Sequence, residues 1–146
     1  MKDEIIKKLE RVPGKISFLY EDLKTGKGFA YHEQEPMKAA SIIKLFVMAA
    51  AFEKSKKGTF QMDELFAVKR EDWVPSCGAL TYLHDGILVT GLDLITLMII
   101  FSDNTATNIL IDILGIEEIN EMIRELGFRH TLLQRKMYDA ERSSRG

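Results

Sequence analysis

The sequence predicts an α+β chain that is mainly helical, with its strands first and its helices afterwards. Two observations carry this. Near the start, two short runs of alternating apolar and polar residues flank a glycine-containing turn. From residue 40 onward, apolar residues recur at helical spacing in several segments, each closed by glycine or a polar island. The chain has 146 residues, 46% hydrophobic and 29% charged, which suits one soluble globular domain.

The first element expected is a short amphipathic helix from Lys2 to about Arg11. Ile5, Ile6 and Leu9 share one side, and Pro13-Gly14 ends it. Two strands follow, Lys15 to Leu23 and Lys27 to His32, joined across Lys24-Thr25-Gly26 as a hairpin. Pro36 breaks the chain. The organisation expected is therefore one domain, with residues 1–35 forming helix and hairpin and residues 36–146 a helical part.

The helical part opens with Ala40 to Phe52, in which Lys44 is the single charge among apolar neighbours. A helix apolar on every side belongs in an interior, so Lys44 must find partners, lose its proton readily or reach water along its stem. Ser41 lies three residues earlier, on the same helical face, which sets a hydroxyl beside an amine. The Lys54 to Lys57 segment reads as the solvated end of this helix, where cations suit the dipole. Residues Thr59 to Ala79 show only weak periodicity, with a loop at Pro75-Ser76-Cys77-Gly78.

Thr90-Gly91-Leu92-Asp93 has the pattern of a capping box, opening a deeply buried helix from Leu92 to Phe101. Ser102-Asp103-Asn104 interrupts it. A third helix, Thr105 to Leu114, stops at Gly115, and a fourth, Glu117 to Leu126, stops at Gly127. Asp103 is placed to cap the third helix. Uncompensated polar groups in a core cost about 1–3 kcal/mol each, so Ser41-Lys44 and Ser102-Asn104 are expected to face one another or a shared cleft.

Several function classes find no support. Net charge is -2 with no sustained basic run, which argues against a nucleic-acid partner. One cysteine, Cys77, excludes an internal disulfide and reads as a free thiol, and His32, His84 and His130 lack ligand spacing, so no metal is expected. No apolar run is long enough for a membrane span, because Lys44 and Asp93 punctuate the two longest. The start lacks a secretory signal, which implies a cytoplasmic protein if that N-terminus is native, and a periplasmic or secreted one if a leader was removed.

S-x-x-K alone is weak evidence, but Ser41-Ile42-Ile43-Lys44 followed by Ser102-Asp103-Asn104-Thr105-Ala106 resembles the class A serine β-lactamases and the related penicillin-binding proteins. The Gly86 to Leu94 stretch and Leu97-Met98-Ile99 are also similar to the family's connecting segment. The resemblance runs over about Lys15 to Arg135 and corresponds to around half of a family domain: its helical subdomain with the first hairpin, lacking the C-terminal sheet strands. It implies a serine hydrolase acting on β-lactams. In that reading Ser41 forms an acyl-enzyme, Lys44 takes or relays its proton, Ser102 passes a proton to the departing nitrogen, and Asn104 holds the substrate's amide. No cofactor is implied.

Two features depart from the family pattern. Lys24-Thr25-Gly26 carries the letters of the third motif but precedes Ser41 at a hairpin tip, and is rejected as that motif. Where the family's deacylating glutamate is expected, shortly beyond an arginine resembling Arg135, this chain has Met137, with Asp139 and Glu141 as nearby candidate bases. The alternatives are a D-alanyl-D-alanine carboxypeptidase or penicillin-binding protein, and a truncated, catalytically silent module that self-associates or binds. Expected partners are a β-lactam or D-Ala-D-Ala-like substrate, and a C-terminal fragment or second copy completing the sheet.

Overall fold

The computed structural model describes residues 2–75 and 78–139, and the chain divides into two compact units, Met1–Lys38 and Ala39–Gly146. The first holds helix α1 (Lys2–Leu9) and the hairpin of β1 (Phe18–Glu21) and β2 (Gly28–Tyr31). In α1, Ile5, Ile6 and Leu9 are half-buried and the charges exposed, as the apolar spacing requires. The strands pair antiparallel, with Phe18 opposite Tyr31 and Glu21 opposite Gly28. Phe18, Tyr20 and Phe29 therefore share a face, their rings 5.4 and 6.0 Å from that of Phe29.

The turn is built by Asp22, whose carboxylate accepts from the backbone N–H of Lys24 at 2.8 Å and of Thr25 at 3.2 Å. These two donors hold the carboxyl below its usual range. Lys24-Thr25-Gly26 is thus committed to a hairpin turn.

The second unit packs four helices around one core: α2 (Lys44–Lys56), α3 (Gly91–Ile100), α4 (Asn104–Leu114) and α5 (Ile116–Glu125). Val47 and Ala51 of α2, Leu94 and Met98 of α3, Leu110 and Ile111 of α4, and Ile119 and Ile123 of α5 are all buried. The capping box expected at α3 is present: the Thr90 hydroxyl accepts from Asp93 N, and the Asp93 carboxylate accepts from Thr90 N.

Two expectations needed correction, and one region the sequence left unresolved gained a strand. The central segment is not one α-helix, since Ala40–Ile43 forms a 3-10 turn and the α-helix begins at Lys44. The helix expected to be deeply buried, α3, exposes Leu92, Ile99 and Ile100. The weakly periodic region carries a strand, β3 (Leu65–Val68), pairing antiparallel with β4 (Ile87–Thr90). Its partner lies more than a dozen residues away, and only Phe66 and Val68 turn inward, so four residues of alternation offered too little pattern. Gly91, directly after β4, permits the close approach of Phe60, because a Cβ there would overlap the Phe60 ring. Among the described residues the only sheets are these two of two strands each, so the C-terminal sheet strands are lacking, as expected.

Candidate active site

The 3-10 turn before α2 presents Ser41 at the surface, exposed, while Lys44 one turn later is 2% exposed. The buried stem carries its ammonium to the junction of α3 and α4. There Nζ donates to the Ser102 carbonyl at 2.7 Å, to Ser102 Oγ at 2.9 Å and to Asn104 Oδ1 at 2.8 Å. Three short bonds to oxygen use the three N–H groups of an ammonium and offset its removal from water. The buried charge inferred from sequence is therefore held by partners.

Ser41 Oγ and Ser102 Oγ lie 2.9 Å apart. Hydrogen bonds thus run from Ser41 through the Ser102 hydroxyl to Lys44. The sequence had set Ser41 beside Lys44 on one helical face; the folded chain brings a second hydroxyl between them. The two polar islands do meet.

Two of the four described non-glycine residues with positive φ lie at this place, the others being His32 and Tyr138. Ala40, immediately before Ser41, has φ +46°, and Ser102 has φ +53°. Non-glycine residues rarely occupy this region, and such strain persists only where surrounding contacts over-determine it, often at functional sites. Here those contacts include the Lys44 bond to the Ser102 carbonyl.

Asp103 takes a structural position. It is fully buried, with Oδ1 accepting from Ala106 N at 3.0 Å as the N-cap of α4 and Oδ2 accepting from Leu80 N at 3.0 Å. Gly78 packs so closely that a Cβ there would overlap the Asp103 carboxylate. The aspartate thereby ties the 78–80 loop to the helix that carries Asn104. Asn104 itself donates from Nδ2 to the Pro75 carbonyl at 3.3 Å.

One turn further along α4, Asn108 clips the chain near its end: Met137 N donates to its Oδ1 at 2.7 Å, and its Nδ2 donates to Met137 O at 3.0 Å. Asn104 and Asn108 share a helical face, so the clip holds the 135–139 segment on the side of α4 that also contacts Lys44. Sequence reading passed over Asn108 and the similar clip of Asn120 on Leu133. The signal available was an amide three residues before a core isoleucine, Ile111 after Asn108 and Ile123 after Asn120. Asp139 is half-buried, and its carbonyl accepts from Arg135 Nη1 at 2.8 Å. Glu141 lies outside the described residues, as does Cys77.

A cavity of about 240 Å³ opens beside this segment, lined in part by Asn108, Met137, Asp139, Asp112 and Asp72. Neither Ser41 nor Lys44 lines it. Among the described residues, no group of three or more His, Cys, Asp or Glu side chains is placed to hold a metal ion. No described helix is long and apolar enough to cross a membrane.

A mainly helical α+β unit with a helical subdomain, an N-terminal helix and a hairpin defines the class: the superfamily of serine β-lactamases and penicillin-binding proteins. The chain belongs to the β-lactamase enzyme family, whose family model matches residues 1–146. Among solved structures it is similar to the β-lactamase from Sphaerobacter thermophilus DSM 20745, with 32% identity and a TM-score of 0.86 over 92% of this chain and 51% of that one. It is also similar to PBP-A, with 29% identity and a TM-score of 0.84 over 94% of this chain and 53% of that one. An ancestral class A β-lactamase gives 27% identity and a TM-score of 0.83, covering 93% of this chain and 52% of that one. The chain spans about half the length of these structures. A search of curated proteins gave no match.

Proposed function

We propose that this chain carries the nucleophile of a serine hydrolase that opens β-lactams through an acyl-enzyme on Ser41. The observation that carries the reading is the run of hydrogen bonds from Ser41 Oγ through Ser102 Oγ to Lys44 Nζ, each step 2.9 Å. A serine hydroxyl is too weak a nucleophile unless a base removes its proton as it attacks.

Lys44 supplies that base once it has given up a proton, its lone pair then facing Ser102 Oγ in place of the N–H that it donates there in the resting site. As Ser41 Oγ bonds to the lactam carbonyl carbon, its proton passes to Ser102 Oγ, and the Ser102 proton passes to Lys44 Nζ. When the ring C–N bond breaks, Ser102 donates to the departing nitrogen and Lys44 returns a proton to Ser102. Asn104, anchored by Lys44 and by the Pro75 carbonyl, is the residue proposed to meet the substrate's amide side chain. An oxyanion donor comes from the Ser41 N–H at the start of the central helix.

Mass spectrometry of the completed protein with benzylpenicillin tests this. A covalent adduct of one intact penicillin on Ser41, absent from Ser41→Ala, is the expected result. A folded, complete protein that stays unlabelled under conditions that label a relative rejects it. The 146-residue chain alone is expected to be inactive. Measurable cephalosporin hydrolysis by the monomeric chain would reject that expectation and the silent-module reading together.

A second reading, a D-alanyl-D-alanine carboxypeptidase or penicillin-binding protein, is favoured by the apolar Met137 where a deacylating glutamate was expected. Its half-buried side chain packs toward the core and offers no base. One similar structure is described as an acyl-enzyme complex of a PBP-A mutant with penicillin G. Turnover of a chromogenic cephalosporin against a D-Ala-D-Ala peptide separates the two readings.

A further inference from the structure

Three consecutive residues at the start of α4 reach the same loop. Asp103 Oδ2 accepts from Leu80 N at 3.0 Å, Asn104 Nδ2 donates to the Pro75 carbonyl at 3.3 Å, and Thr105 Oγ1 accepts from Val74 N at 3.2 Å. The aspartate caps the helix and the asparagine is the candidate substrate contact; the threonine does neither. Thr105 is fully buried, and a hydroxyl taken out of water needs a partner, as does a backbone N–H. The bond between Thr105 and Val74 joins two such groups.

Val74 and Pro75 carry that anchor onward. A proline ring fixes its own φ, and steric contact with the ring holds the preceding residue extended. The Val74 N–H and the Pro75 carbonyl are therefore the two ends of one stiff piece of backbone, so fixing one fixes the other. Trp73, on the preceding side, packs against the core, whereas Pro75 is exposed and has no N–H to anchor itself.

The Pro75 carbonyl in turn decides which way the Asn104 amide faces. The O and N of an amide are close in shape and exchange places on a half-turn. With Nδ2 on the Pro75 carbonyl, Oδ1 faces Lys44 Nζ at 2.8 Å. A flipped amide would set its NH2 against an ammonium and its oxygen against a carbonyl, and lose both bonds.

We propose that Thr105 is a positioning residue: by holding Val74 it fixes the Pro75 carbonyl that orients Asn104, and so favours β-lactams that carry a side-chain amide. The substrate preference rests on the contact proposed for Asn104. The orienting step does not, since it involves only residues of this chain.

NMR of the nitrogen-labelled 146-residue chain follows the Asn104 side-chain NH2. Thr105→Val keeps the branched shape and deletes the acceptor, so hydrogen exchange of that amide should rise about tenfold, and Thr105→Ser should restore it. Pro75→Gly, at an exposed position, should raise it too by releasing φ. Thr107→Val removes another fully buried hydroxyl of α4, bonded to the Asp103 carbonyl and not to the loop, and should leave the exchange near the parent's. Unchanged exchange in both Thr105→Val and Pro75→Gly overturns the proposal. So does an equal rise in Thr107→Val, which would assign the effect to general loosening of α4.

In the completed protein, Thr105→Val should slow acylation by benzylpenicillin about tenfold. Penicillanic acid, which has the ring without the side-chain amide, should stay within about twofold of the parent. Equal slowing of both overturns the preference. Absence of any adduct on the parent itself rejects the Ser41 chemistry instead, and the NMR result then decides by itself whether Thr105 orients Asn104.

Discussion

Lys44 Nζ donates to Asn104 Oδ1 at 2.8 Å across sixty residues of sequence. The same ammonium binds both oxygens of Ser102, so one side chain from α2 fixes the start of α4 and the serine before it. Removing either partner leaves a buried polar group unmatched, which links the stability of the junction to its chemistry.

Lys44→Met keeps the stem's packing and deletes the base. In the completed protein, the rate of penicillin adduct formation should fall by about 10²–10⁴-fold, the usual contribution of a positioned base. Quenched-flow mass spectrometry measures it, and a rate within a few-fold of the parent would remove Lys44 from the mechanism.

Asp103→Ala should destabilise the helical unit by roughly 2–4 kcal/mol. It combines a lost N-cap, about 1 kcal/mol, with a buried Leu80 N–H left without its acceptor, about 1–3 kcal/mol. Gly78→Ala attacks the same contact from the other side, and overpacking there should cost about 1–3 kcal/mol. Urea unfolding followed by circular dichroism reads both. Because the two changes share a contact, the double variant should lose less than the sum.

Asn108→Ala removes both bonds of the Met137 clip. The global loss should be about 1–3 kcal/mol, and the 135–139 segment should become the preferred site of limited proteolysis. Cleavage after Arg135 or Lys136 at the parent's rate would show that the clip does not hold the segment.

At α3, Thr90→Ala should cost about 1 kcal/mol through loss of the cap. The Thr90 hydroxyl, followed by its backbone N–H, holds the Asp93 carboxyl below its usual value. A depressed folded pKa stabilises the fold above the unfolded value and loses that contribution as pH falls through the folded one. The parent should therefore lose stability on acidification below about pH 4 more steeply than Thr90→Ala, since the unfolded carboxyl titrates near 3.9. Parallel urea melts between pH 6 and about pH 3 test the sign. Curves of equal slope would show that Thr90 does not set the Asp93 titration.

Much of this architecture was legible because it rests on local rules. The hairpin is specified by alternation around a turn that Asp22 and Gly26 can make, and the Thr90–Asp93 box and the Asp103 cap by residue types whose side chains reach only three residues along the chain. The buried Lys44 and the polar island at Ser102 were legible for another reason: a charge or hydroxyl in an apolar run is costly enough to require a partner. Sequence could say that a partner existed.

Which atoms satisfied it was decided by tertiary structure. The packing of α2 against the α3–α4 junction put Ser102 between Ser41 and Lys44, and the same packing gave Asn108 its hold on Met137. It also showed that α2 and α3, apolar enough by sequence to be buried all round, are covered on one side only. Hydrophobic periodicity records which residues leave water in the finished assembly, whereas burial depends on which surfaces are there to meet them. The sequence by itself determined a mainly helical α+β chain with a serine and a buried lysine at its centre; only the folded chain decided how those two are connected and which apolar face is left open.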